Sequence, residues 1–217
     1  MIVVTFAVRQ EGAIFERRLS RRTKHGNRVT GRLGSREVTI HWLGIGVEDR
    51  LGFRQMIEET QPHYVIDSGF AGGIRTLLEP GDFVLANDAC GKAPTAKESL
   101  YTAKGRIVQV AQVLDPEAKA RIRRANAEAL AVDMESEEIA AICKELHIPF
   151  ITARMISDRY DEGIPGVFLG RGVRSLGDLA DAVRFASRML SLRVKLADKL
   201  EELINELGAA GSVVRDP

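Results

Sequence analysis

The strongest constraint on the fold is a series of short apolar runs that lack internal alternation and are separated by segments of helical period. The runs are Ile2 to Val8, Val38 to Leu43, Tyr64 to Phe70, Asp82 to Ala86, Arg106 to Val110 and Ile148 to Ile156. Strands that stay apolar at successive positions suit a sheet covered on both faces. Between them, helices are predicted over Glu48 to Glu59, Pro116 to Ala127 and Ser136 to Leu146. The second opens on Asp115-Pro116, a cap residue followed by proline at the first helical position. The third begins with Ser136, Glu137 and Glu138, where the helix macrodipole favours acidic groups. The expected class is α/β, a single three-layer α/β/α domain over residues 1–207 with a central mixed sheet. Residues 208–217 read as a frayed tail.

Composition narrows the function. Of 217 residues, 45% are apolar, enough for a sizeable core, and only 6% are aromatic, so that core is expected to be aliphatic. Lys plus Arg number 31 against 30 Asp plus Glu, a net charge of +1, which excludes a polyanion binder acting through bulk charge and makes nucleic acid an unexpected partner. The N-terminal apolar run lacks a basic flank and a cleavage site, and no run approaches a membrane span, so a soluble cytoplasmic protein is expected. Cys90 and Cys143 have no CxxC spacing and read as reduced thiols. His25, His41, His63 and His147 show no ligand spacing and read as surface or turn residues, so neither a metal nor a cofactor is expected.

Two segments stand apart. Residues 17–36 carry Arg17, Arg18, Arg21, Arg22, Lys24, Arg28, Arg32 and Arg36, which reads first as a solvated hairpin or loop and second as a patch for a phosphate-bearing or nucleic-acid ligand. From Leu176 to Leu207, the apolar positions Leu176, Leu179, Val183, Ala186, Leu190, Val194, Ala197 and Leu200 predict one long amphipathic helix, or two with a break. That stripe is expected to pack on the sheet, with the end beyond Lys195 free for a subunit contact.

Three carboxylates fall just past strand ends, where open α/β sheets bind ligands: Glu11, Glu135 and Asp158. Singly, each is more readily a helix cap or turn former. The stretch Ser68 to Gly73 (SGFAGG) would let backbone approach a ligand closely, yet fits neither a phosphate loop nor GxGxxG, and alone it reads as a turn.

Their company raises them. Val132-Asp-Met-Glu-Ser136, the helix after it, and Ala153-Arg-Met-Ile-Ser-Asp158 resemble the signature region of the nucleoside phosphorylase and nucleosidase superfamily. Ala7 to Glu11, Leu43-Gly-Ile-Gly46, and Ser68 to Ile74 followed by Pro80-Gly-Asp-Phe-Val84 are similar to its earlier motifs, in order, over roughly residues 1 to 160. Its methylthioadenosine/S-adenosylhomocysteine nucleosidases and hopanoid-associated phosphorylases are the branches most similar. The resemblance implies a phosphorylase/hydrolase-like fold and cleavage of the N-glycosidic bond of a purine nucleoside of adenine type. Asp158 would protonate the base at N7, which requires a carboxyl that keeps its proton near neutral pH. Glu11 would take a proton from the attacking water. Glu135 would hold the ribose 2′-hydroxyl and face the developing oxocarbenium. Phe70, Ala71, Gly72 and Leu114 would line the substrate site, Met134 would lie against the sugar, and Arg154 and Ser157 would hold the region together, Arg154 as an orienting ion-pair partner.

The departures matter. Asp67 stands where the phosphorylases carry a phosphate-binding arginine, which favours water over phosphate as the acceptor. Phe70 replaces a small serine, and Val113 stands nearest the position of a base-stacking aromatic. The stretch from Asp88 to Val132 is shorter than in the methylthioadenosine enzymes, closer to the hopanoid-associated branch, which Gly163-Ile-Pro165 also resembles. Phosphorolysis, with phosphate as co-substrate, and a non-catalytic nucleoside sensor remain the alternatives. The resemblance also implies a homo-oligomer, taken as a dimer.

Overall fold

The computed structural model describes residues 1–87, 96–172 and 175–210. In chain order the elements are β1 (Ile2–Phe6), α1 (Arg9–Arg18), β2 (Ser20–His25), β3 (Arg28–Leu33), β4 (Arg36–Trp42), α2 (Arg50–Thr60), β5 (Tyr64–Gly73), β6 (Phe83–Asn87), β7 (Ala103–Lys104), β8 (Arg106–Gln109), α3 (Pro116–Ala125), β9 (Ala129–Asp133), α4 (Ser136–Glu145), β10 (Phe150–Asp158) and α5 (Leu176–Ala210). The sheet runs β2-β3-β4-β1-β5-β10-β6-β7, with β9 joined to β5 and β8 to β9. β4, β1, β5 and β10 are parallel neighbours, whereas β6 runs antiparallel to β10 and β9 antiparallel to β5, so the sheet is mixed.

The period of two in a strand sends alternate side chains to opposite faces. Ile2, Val4 and Phe6 of β1 join a cluster with Phe15 of α1 and Leu196, Leu200 and Leu203 of α5. Val3 joins the other cluster, with Phe53 and Met56 of α2 and Ile139 and Ile142 of α4. These are the two outer layers of the α/β/α arrangement. The apolar run around Ile151 is the central strand β10, buried at all nine of its positions.

Several expectations are corrected. Ser68 to Gly73 is no turn: pairing with β10 on one side, and with β9 at Gly72 and Gly73, carries β5 straight through it. α1 escaped the periodicity because only Gly12 and Phe15 of its ten residues are buried. The basic segment is, as first read, largely the solvated hairpin β2–β3, and several of its cations are committed within the chain: Arg18 to Asp198 and Glu201, Lys24 to Glu16, Arg36 to the Asn205 carbonyl. His41 is not a surface residue; it is fully buried in β4, with Nε2 2.8 Å from Asp49 Oδ2.

α5 is one unbroken helix, but of the expected stripe Ala197 and Leu200 are buried while most of the rest is not. Leu176, Leu179, Val183, Leu190 and Val194 are exposed, while Phe185, Leu192, Leu196, Leu200, Leu203 and Leu207 are buried. The end beyond Lys195 therefore packs its inner face into the core and is held by Arg18. Of the expected frayed tail, residues 208–210 close α5 and 211–217 lie outside the described residues, as does Cys90; Cys143 is buried in α4. Among the described residues no helix is long and apolar enough to cross a membrane.

The two faces of α5 separate energetically. Leu203→Ala, at a fully buried position, is expected to cost about 2–5 kcal/mol. Val183→Ala, 60% exposed, should stay within about 0.5 kcal/mol, both read from urea unfolding midpoints.

Candidate active site

The parallel strands β1, β5 and β10 end on one side of the sheet, and a cavity of about 230 Å³ opens there. Its walls bring together Glu11, Phe70, Ala71, Gly72, Leu114, Met134, Glu135, Ser157 and Asp158, all expected at the site from the sequence. Val113, at the position compared with a stacking aromatic, lines it too. Arg154 and Asp67 do not line it.

Both lie beneath, in a buried ion-pair network. The Arg154 guanidinium donates from Nε to Asp133 Oδ2 at 2.9 Å and from Nη2 to Asp67 Oδ2 at 2.5 Å, and the Thr5 hydroxyl donates to Asp67 Oδ1 at 2.8 Å. Burial alone would favour a neutral Arg154, but the surrounding Asp67, Asp133 and Glu135 carboxylates hold it charged, its pKa above the ordinary arginine value. Burial lifts Asp67 to about 7, opposed by Arg154 and reinforced by Asp133. Asp67 thus faces the arginine and not the cavity.

Glu11 stands in the first turn of α1, where its Oε2 accepts from the Val8 N–H at 3.5 Å. Desolvation lifts its pKa to about 7, opposed by Arg154 and reinforced by the like charge of Glu135. Across from it, Gly69 of β5 has φ +150°, a backbone conformation that favours glycine, and a Cβ there would lie 3.1 Å from Glu11 Oε2 and press the carboxylate back by a few tenths of an ångström. Glu135 is the N-terminal cap of α4, yet its side chain reaches away from that helix. Its Oε1 accepts from the Gly46 N–H of the 43–46 turn at 3.2 Å and its Oε2 from the Met134 N–H at 3.3 Å.

Asp158 closes β10 and is 3% exposed. Ser157 Oγ lies 2.5 Å from its Oδ1 and 3.2 Å from the Ala71 carbonyl, so the single hydroxyl proton has two acceptors. Its Oδ2 accepts from the Lys119 ammonium, which also donates to the Arg159 and Glu162 carbonyls at 2.6 and 2.9 Å.

This constellation has relatives. Residues 6–99 and 89–183 match the phosphorylase superfamily. The chain belongs to that superfamily. A 5′-methylthioadenosine/S-adenosylhomocysteine nucleosidase of Staphylococcus haemolyticus is 26% identical over 196 residues, covering 73% of this chain and 86% of the relative. The structure of the corresponding nucleosidase from S. pneumoniae, with the transition-state inhibitor MT-ImmA, superposes with a TM-score of 0.72 at 19% identity, covering 95% of this chain and 99% of that one. A futalosine hydrolase mutant of Helicobacter pylori gives 0.68 at 20% identity, covering 94% and 98%.

Within this superfamily fold, two charged residues of the site escaped the sequence reading. Asp133 belongs to the quoted motif but had no assigned part; besides Arg154 it accepts from the N–H and hydroxyl of Ser136, starting α4. Lys119 is 2% exposed. Its signal was a charge three residues before Ile122, on the apolar face of α3. A second chamber of about 430 Å³ adjoins the first, sharing Glu11, Phe70 and Ser157 and walled by Phe168, Leu169, Phe185 and Met189.

Removing the guanidinium leaves two buried carboxylates without their cation. Arg154→Met is expected to lose about 3–5 kcal/mol of stability, measured by chemical denaturation at pH 8.

Proposed function

We propose that this protein hydrolyses the N-glycosidic bond of an adenine-type purine nucleoside. The observation that carries the reading is the convergence of Glu11, Glu135 and Asp158 on one cavity whose only lining cation among the described residues, Lys119, is already committed to Asp158 and two carbonyls. A phosphate nucleophile would meet surplus negative charge there, whereas a neutral water would not. The names of the relatives, nucleosidases and a hydrolase, agree with this choice.

The chemistry follows from where charge develops. As the bond from C1′ to the base N9 lengthens, the ribose becomes cationic and the purine anionic. Asp158 in its acid form gives its proton to N7, so the electron pair leaves on a neutral base. Ser157 provides for that acid form: when its hydroxyl donates to the Ala71 carbonyl, Oγ is free to accept from the Asp158 carboxyl. Glu135 accepts from the ribose 2′-hydroxyl, and its negative charge faces the oxocarbenium. Glu11 takes a proton from the water whose oxygen bonds to C1′. The products are the free base and the 1-hydroxy sugar; the Glu11 proton returns to solvent and Asp158 is reprotonated. Met134 packs against the sugar, Phe70, Ala71, Gly72 and Leu114 surround the base and ribose, and Arg154 orients the floor through Asp67 and Asp133. The apolar adjoining chamber receives the 5′ substituent.

We read the enzyme as a cytoplasmic homo-oligomer, a dimer. The exposed Leu176, Leu179, Val183 and Leu190 on the first half of α5 support an apolar contact there. A monomer in sedimentation at micromolar concentration would contradict it.

Incubation with methylthioadenosine, adenosylhomocysteine, adenosine and inosine, with and without phosphate, is expected to release free base without phosphate. Release only with phosphate would overturn the choice of water, and binding without release would favour the sensor reading. Glu11→Gln and Asp158→Asn should each lower kcat by about 10²–10⁴ while leaving the fold intact by circular dichroism. Because Glu11 must be ionised to act as base and its pKa is lifted to about 7, kcat/KM should fall as the pH drops below that value. An acidic limb near pH 4.5, the ordinary glutamate value, would exclude Glu11 as the base.

A further inference from the structure

Lys119 carries a buried charge that the proposed reaction has not used. It sits on α3, and its ammonium has three hydrogens and three acceptors: Asp158 Oδ2 and the carbonyls of Arg159 and Glu162. An ammonium so saturated has no hydrogen left to offer a ligand. The strand beneath is shaped around the pair. A Cβ on Gly72 would stand 3.2 Å from Lys119 Cε and 3.3 Å from Asp158 Oδ2.

We propose, on the nucleosidase reading above, that Lys119 is the positioning residue of the Asp158 acid. It grips Oδ2, leaving Oδ1 to Ser157 and the base. It also neutralises the carboxylate that appears once the proton has moved to N7. Its positive charge lies against the carboxylate that the transfer leaves behind, which makes proton transfer easier. The other groups around Asp158 do not duplicate this. Ser157 is neutral, β5 offers only backbone at Gly72, and Glu11 and Glu135 across the cavity are acidic. The Arg159 side chain is turned to Glu79 and Asp161, and that of Glu162 to Arg188.

The test compares Lys119→Met and Lys119→Arg with the unaltered protein. The Asp158 carboxyl is followed by carbon NMR across pH, with its signal assigned by its loss in Asp158→Asn. In the Met variant the titration midpoint is expected to rise by about one to three pH units, and the alkaline limb of kcat to move with it. In the Arg variant, which keeps the charge, the midpoint should stay within about half a unit. An unmoved midpoint in the Met variant, or an equal shift in both, would overturn the proposal. If the Met variant does not fold, Lys119→Gln, which keeps hydrogen-bond donors without the charge, must raise the midpoint; an unmoved midpoint there overturns it as well. Should the unaltered protein release no base from any nucleoside, the nucleosidase reading falls, while the carboxyl titration still decides the role of Lys119.

Discussion

The arrangement turns on one buried arginine. Arg154 projects from the central strand β10 and binds Asp67 on β5 and Asp133 at the end of β9. Burying a guanidinium is expensive unless every near neighbour compensates it, and two carboxylates do so here. The consequence reaches beyond stability, because the three strands so tied are those that deliver the site. β5 continues from Asp67 to Phe70, Ala71 and Gly72, β9 leads into Met134 and Glu135, and β10 ends at Ser157 and Asp158. One buried interaction therefore ties together the three strands that carry the cavity walls.

Much of this was legible in the sequence, for identifiable reasons. The central strands were visible because a strand buried on both faces, such as Phe150 to Asp158, cannot hide its apolar character. Glu11, Glu135 and Asp158 could be grouped because their local motifs resemble those of one superfamily, and the fold brings them to one cavity. What escaped depends on partners distant in the chain. Lys119 looks like one of several cations on a polar helix until β10 and the turn after it are placed against it. The β5 extension through Ser68 to Gly73 looks like a turn until β10 and β9 supply pairing. The stripe on α5 was misassigned because a helix rich in Leu, Val and Ala offers two apolar faces. Only its contact with α1 and β10 selects the one holding Leu196, Leu200 and Leu203.

Charge accounts for the chemistry more fully than shape does. Around the cavity and its floor lie Glu11, Glu135, Asp158, Asp67 and Asp133, against Arg154 and Lys119. A desolvated excess of carboxylates relieves itself by holding protons, which is why Glu11 and Asp67 are both lifted to about 7. That excess suits a reaction whose transition state is cationic at the sugar and which consumes a proton at the base: it attracts the first and stores the second. The two cations are placed where they do not cancel this benefit. Arg154 lies beneath the floor, out of reach of the sugar, and Lys119 is turned to the acid on the side away from Ser157. On the proposed reaction, a cation free in the cavity would repel the oxocarbenium and invite an anionic nucleophile, so that reading is served as much by the engagement of both cations as by the placing of the carboxylates.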